Sequence, residues 1–230
     1  MIHQLVHASF RSPRPWIEEG LAHFAMALQR EQDGRVAAIS LLDQSLPVLQ
    51  DAEKQPAAHG LATSADSVMY RAKAMFVWWM LRDMVGDTAV QRAIKLYRAA
   101  DDKSPSYMPD LITKEAHRDL SWFFDEWVYR DRGLPDFRVV TAFPRQTLGN
   151  LYVVALTIEN TGAVSAEVPV IVRTAQGDRI KRLLVRAHDK TVDRIEVPAL
   201  PTEVIVNDGS VPESDMSNNS FPIVSSSKPQ

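Results

Sequence analysis

The chain has no cysteine. Disulfides, thiolate nucleophiles and cysteine-held zinc are therefore excluded, and any metal must rest on histidine and carboxylate. It also lacks a surplus of one charge: 26 Lys and Arg stand against 29 Asp and Glu, a formal net charge of −3, with no block of like charges. A nucleic-acid binder or a polybasic membrane-surface protein needs such a surplus, so neither is expected. No run approaches the ~18 consecutive apolar residues of a transmembrane segment. The most apolar stretch, residues 72–84, is shorter and carries Lys73 and Arg82. The first residues show no cationic stretch followed by an apolar one, so no signal-peptide pattern is read there. What is present is 230 residues, 45% apolar and 24% charged. That is an ordinary globular composition, long enough for one large domain or two modest ones.

The period of the apolar residues changes near residue 134. Before it, spacing is helical. Ile17, Leu21, Phe24, Ala25 and Leu28 form a stripe that starts after Pro15. Val68, Met75, Val77, Trp78, Trp79, Leu81 and Met84 form a heavily apolar helix that Gly86 stops, and Asp87 is placed to cap the next one. Residues 114–129 read as one more helix, with Leu120, Phe123, Phe124 and Trp127 inward. After residue 136 the period is two. Short strands are expected at 137–139, 151–158, 168–173, 183–185, 191–197 and 204–206, with turns at Asn160-Thr161-Gly162, Gln176-Gly177-Asp178 and Asn207-Asp208-Gly209. The expected fold class is α+β with two domains: an all-α bundle over 1–133 and an antiparallel β-sandwich over 134–230, ending in a flexible tail from Ser214.

The chemistry-bearing pattern lies at the start. In Met1-Ile2-His3-Gln4-Leu5-Val6-His7 the two histidines are four apart, so a helix puts both imidazoles on one face. Pro15-Trp16-Ile17-Glu18-Glu19-Gly20-Leu21-Ala22 follows. Two histidines and a glutamate from a neighbouring helix make a catalytic-type zinc set with one position open. Gly20 would let the first helix come close.

These motifs resemble the gluzincin metallopeptidases, specifically the aminopeptidase N-like family (peptidase family M1). Its members read H-E-x-x-H, then W-x-x-E-G, then a Y-x-K-G-A-like segment opening an apolar helix. Here the first is His3 to His7, with Gln4 in the glutamate position, and the second is Trp16 to Gly20, a full match. The third is Tyr70-Arg71-Ala72-Lys73-Ala74, followed by Met80-Leu81-Arg82-Asp83-Met84-Val85-Gly86. Residues 120–129 resemble the end of the family's helical domain, and 206–219 the close of a β-sandwich, taken as Ig-like, that follows it in relatives. The resemblance implies zinc held by His3, His7 and Glu19, an oxyanion-stabilising phenol at Tyr70, and a peptide or protein substrate. Zinc would polarise the scissile carbonyl and acidify a water, whose proton a carboxylate normally takes.

Three departures qualify that expectation. Gln4 stands where the general base belongs, and an amide cannot take up a proton near neutral pH. Eleven residues, 8 to 18, separate His7 from Glu19, fewer than in typical members. The strand-bearing half of the catalytic domain and its G-x-M-E-N-type loop have no counterpart here, so the chain reads as the C-terminal portion of a longer protein. The expected function is a truncated zinc metallopeptidase with little or no hydrolysis. The alternative is a non-catalytic pseudo-peptidase that binds proteins. Several residues carry two readings. The histidine pair could be exposed on a frayed terminal helix. Glu18 could replace Glu19 as ligand. His23 is either a group orienting a ligand imidazole or an exposed helical histidine. Asp208, Glu213 and Asp215 suggest a calcium loop or a solvated turn. His59, His117 and His188 read as surface residues, and Trp78, Trp79, Trp122 and Trp127 as core.

Overall fold

The computed structural model describes residues 2–54, 60–147, 149 and 151–223. The chain combines helices with antiparallel sheet, an α+β protein, and divides into two compact units, Met1–Gly133 and Leu134–Gln230.

The first unit holds α1 (Ile2–Ser9), α2 (Pro15–Glu31), α3 (Arg35–Ala52), α4 (Ala74–Val85), α5 (Asp87–Leu96), α6 (Tyr107–Ala116) and α7 (Ser121–Phe124). A π-helical segment, Met69–Lys73, leads into α4, and another, Asp125–Tyr129, continues α7. Helix α4 is central. Its residues from Ala74 to Leu81 are all buried, as expected of a helix apolar on every side. Helix α2 starts at Pro15, whose fixed φ suits the first helical position. It lays Trp16, Ile17, Gly20, Leu21 and Phe24 inward. Gly20 admits α4, not the first helix: a Cβ there would lie 2.8 Å from the Ala74 Cβ and 2.9 Å from Trp78. Trp16 and Trp78 stack at 5.7 Å beside this contact, and the Trp78 indole N–H donates to the Trp16 carbonyl.

Lys73 is the charge that interrupts the apolar run, yet it is 1% exposed. Its ammonium lies 2.7 Å from Glu53 at the end of α3 and 2.6 Å from Asp131, with the Trp127 ring 6.0 Å away. Burial raises the Glu53 pKa, and Lys73 pulls against it. A buried ammonium requires such partners, and this one pins the π-helical segment that precedes α4.

Several local expectations change. Residues 114–129 are not one helix. His117 takes a left-handed conformation, φ 49°, and ends α6, and Asp119 then accepts the Ser121 N–H at the start of α7. Asp87 is the first residue of α5 rather than its cap, and it pairs with Arg82 at 2.7 Å. Trp122 is half-buried, whereas Trp78, Trp79 and Trp127 are fully buried. His117 and His188 are exposed, and His59 lies outside the described residues.

The second unit holds β1 (Phe137–Gln146), β2 (Tyr152–Asn160), β3 (Ala166–Thr174), β4 (Arg179–Val185), β5 (Asp189–Val197), β6 (Pro201–Val206) and β7 (Ser220–Pro222). They form two antiparallel sheets, ordered β1-β2-β5 and β4-β3-β6-β7. Alternate residues are buried: Val154, Leu156 and Ile158 on β2, Val168, Val170 and Val172 on β3, Val204 and Val206 on β6. Two asparagines repeat one device. Asn160 accepts the Gly162 N–H and donates to the Val164 carbonyl; Asn207, at φ 64°, accepts the Gly209 N–H and donates to the Val211 carbonyl.

Glu213 corrects the expectation of a solvated turn, being 0% exposed. It accepts the Phe137 N–H at 2.9 Å and the side-chain amides of Asn207 and Asn219. The segment from Ser214 is not frayed within the described residues. Ser214 donates to the Pro135 carbonyl, and β7 pairs with β6; residues 224–230 lie outside the described set.

Burial pushes the Glu213 pKa up from 4.5 to about 7, against the pull of its three donors and with help from Asp136. The folded state thus holds this proton more tightly than the unfolded chain does. Stability from this group is complete below the unfolded value and falls as pH rises through the folded one, by about 3 kcal/mol in all. Melts of the β unit between pH 4.5 and 8 are expected to show Tm falling with pH. Glu213→Gln keeps an acceptor for both asparagines and should flatten that slope. An unchanged slope in the variant would assign it to another group.

Candidate metal centre

The two motifs at the start of the chain meet. Helix α1 ends at Ser9 and α2 begins at Pro15, so a short loop folds α1 back along α2. This is why an eleven-residue spacer suffices. The loop is tied down: Ser12 bonds the Tyr97 hydroxyl at 2.8 Å, Arg14 reaches Asp102 at 2.8 Å, and Tyr97 donates to Asp102 at 2.6 Å. Burial and the bond to Asp102 raise the Tyr97 pKa, so the phenol stays protonated.

With Trp16, Ile17 and Gly20 committed to the interior, the helical period turns Glu18, Glu19 and His23 toward α1. His3 and His7 face them. The two Nε2 atoms lie 3.2 Å apart. Glu19 turns one oxygen to each ring, Oε1 at 3.3 Å from His7 Nε2 and Oε2 at 3.8 Å from His3 Nε2. His3, His7 and Glu19 are the group that could hold a metal ion among the described residues. Asp208, Glu213 and Asp215 do not gather into such a group.

The donor set fits a tetrahedral ion. With zinc bonds of ~2.0–2.1 Å, ligand atoms at the corners of a tetrahedron lie about 3.4 Å apart. His7 Nε2 lies 3.2 Å from His3 Nε2 and 3.3 Å from Glu19 Oε1, close to that length; His3 Nε2 is 3.8 Å from the other oxygen, Glu19 Oε2, and one ligand atom from each residue lies within 4.8 Å of the others. Chemistry points the same way. His7 Nδ1 lies 3.1 Å from Glu18, and an ionised carboxylate can only accept, so the ring proton belongs on Nδ1. In the neutral ring Nε2 is then a lone pair, aimed at a second imidazole and at a carboxylate. A proton on His3 Nε2 or a metal ion can satisfy that convergence.

Glu18 thus bonds the far nitrogen of the His7 ring and lies outside the group that could hold a metal ion, a distinction from Glu19 that sequence spacing does not make. Its other partners are the Ser12 N–H at 2.9 Å and Arg11 at 3.0 Å. Burial alone would raise its pKa, but the bonds from Ser12, His7 and Arg11 outweigh that and hold it below the ordinary value. A carboxylate–histidine–metal relay of this kind fixes the ring and raises its basicity.

The remaining expected residues lie nearby in different ways. The His23 ring is 4.9 Å from that of His3, edge to face, and its Nε2 is 3.9 Å from Glu19. Burial first, then the charge of His3, lowers its pKa against the pull of Glu19. It is part of the cluster's surroundings, not an exposed helical histidine. Gln4 is exposed on α1 between the two ligand positions. Tyr70 sits half-buried on the π-helical segment that packs on α2, and no hydrogen bond engages its hydroxyl among the described residues. The next residue, Arg71, reaches the cluster: its Nε is 3.8 Å from Glu19 Oε2. Sequence reasoning missed Arg71, since only the wide turn of the segment shows where it points.

No family model matches the chain, and no curated protein does. Among solved structures it matches a Bifidobacterium adolescentis GH3 beta-glucosidase at 15% identity and a TM-score of 0.25. That match covers 49% of this chain and 23% of the other, and it carries no argument about fold or function. No helix among the described residues is long and apolar enough to cross a membrane.

Glu18→Gln tests the relay without touching a ligand. Zinc affinity, measured by competition with a chromophoric chelator, is expected to fall about 10–100-fold. A change below about twofold would show that Glu18 does not orient His7.

Proposed function

We propose that His3, His7 and Glu19 hold one zinc ion, and that the chain is related to the aminopeptidase N-like gluzincin metallopeptidases. The observation that carries this reading is the convergence of one ligand atom from each of the three residues, all within 4.8 Å of one another, on two helices. The agreement of W-x-x-E-G at Trp16–Gly20 and of the tyrosine segment at Tyr70 gives it direction. On this reading the helical unit corresponds to the all-α part of a gluzincin catalytic domain, and the two-sheet unit to an Ig-like β-sandwich.

A bound zinc would supply Lewis acidity toward a peptide carbonyl and toward water. The chain's own residues supply less. Gln4 can donate and accept hydrogen bonds but cannot carry away a proton. Tyr70 offers a phenol donor on the segment against α2, suited to a developing negative charge. The expected result is a peptide-binding metal site with little or no hydrolysis. Gln4 also favours a second reading, a pseudo-peptidase that uses the same site or the β unit to bind protein.

Two measurements decide. The purified chain, equilibrated with zinc and desalted, should retain about one ion per chain, and the double variant His3→Ala, His7→Ala should retain none. Equal metal content in the two would sink the zinc reading. Gln4→Glu in this chain alone should give little turnover of aminoacyl-nitroanilides; in a longer protein that carries the family's strand-bearing half it should raise turnover by about 10²–10⁴ if this position supplies the base. Equal rates would remove Gln4 from that role and favour the pseudo-peptidase.

A further inference from the structure

A cation stands at the rim of the metal centre with its donors unused. Arg71 is 54% exposed and lies on the π-helical segment Met69–Lys73. Its nearest carboxylate oxygen is Glu19 Oε2 at 3.8 Å, beyond hydrogen-bonding distance, and no hydrogen bond engages its guanidinium among the described residues. The guanidinium carbon sits 5.8 Å from the Tyr70 ring centre, within cation–π range. The segment is held from below. Lys73, two residues on, is locked between Glu53 and Asp131. Single π turns of this kind recur at functional sites.

The charges define what this position can take. Arg11 answers Glu18 at 3.0 Å, so that pair cancels. A dication on His3, His7 and Glu19 would be offset by the Glu19 carboxylate alone, and Arg71 adds a further positive charge beside it. Glu19, drawn to the ion, would hold Arg71 less strongly. A planar fork of N–H donors next to a metal is the geometry that recognises a carboxylate in two-point fashion.

We propose that Arg71 is a carboxylate-recognition group of the metal centre, so that the site prefers peptide ligands with an acidic side chain next to the metal-binding group. This rests on the zinc reading above. The competing role for Arg71 is to steady Glu19. In that case its removal would change metal affinity without changing the choice between acidic and neutral ligands.

The test uses the whole chain with cobalt(II) in place of zinc, whose visible absorption reports ligand binding directly. Two probes of matched shape are titrated: the α-hydroxamates of glutamate and of glutamine. Wild type is expected to bind the glutamate compound at least about tenfold more tightly. Arg71→Ala should bring the two affinities together, and Arg71→Lys should keep part of the preference. Wild type without a preference, or Arg71→Ala with the same preference as wild type, would overturn the proposal. The cobalt spectrum before any hydroxamate is added reports the underlying reading separately. Wild type that takes up no cobalt would overturn the metal site, and this proposal with it.

Discussion

The helical unit turns on the approach of α2 to α4 at Gly20. No side chain larger than hydrogen fits between the α2 backbone and the Ala74 and Trp78 side chains without displacing them. Closing that gap lets the Trp16 and Trp78 rings stack and commits one face of α2 to the interior. The rotational phase of α2 is then set. Glu18, Glu19 and His23 emerge on the side that α1 covers, so a packing constraint on the buried face decides the composition of the polar one.

Around that face the polar groups form a graded series. Tyr97, Asp102 and Arg14 hold the loop between α1 and α2, and the loop presents the Ser12 N–H. Ser12 and Arg11 hold Glu18, Glu18 holds His7, and His7 meets His3 and Glu19. Helix α1 buries none of its own residues, so packing contributes little to its position. Its place is set through the hydrogen bonds that link Ser12, Glu18, His7 and His3.

The β unit solves a different problem. Its strands alternate cleanly, but the segments that enter and leave them carry backbone groups with no strand partner. Asn160 and Asn207 satisfy these groups by the same side-chain bonds, and Glu213 joins the start of β1 to the Asn207 and Asn219 side chains. The cost is a buried carboxyl. It is met by three donors and by a proton that the folded chain retains more tightly than the unfolded one.

Much of this was legible in the sequence. The change from helical to two-residue period marks where helices give way to strands, because each periodicity encodes which side of an element is buried. The positions of α2, α4 and β2 to β6 followed from it. So did the gathering of His3, His7 and Glu19 into a group that could hold a metal ion, since four-residue spacing places two imidazoles on one helical face. Helix α3 was not seen, and the extension of β1 and strand β7 were missed, because their short or irregular patterns take their stability from neighbours. Tertiary structure alone decided the finer roles. Glu18 and Glu19 are adjacent and chemically identical, and only the placement of α1 sets Glu18 against His7 Nδ1 and Glu19 against the two Nε2 atoms. Lys73 and Glu213 look like solvated charges in the sequence, yet both are buried. Arg71, exposed on its segment, comes within 3.8 Å of Glu19, a placement no spacing in the sequence shows. Spacing along one element shows which residues share a face; which partner meets that face depends on helices and strands far apart in the chain.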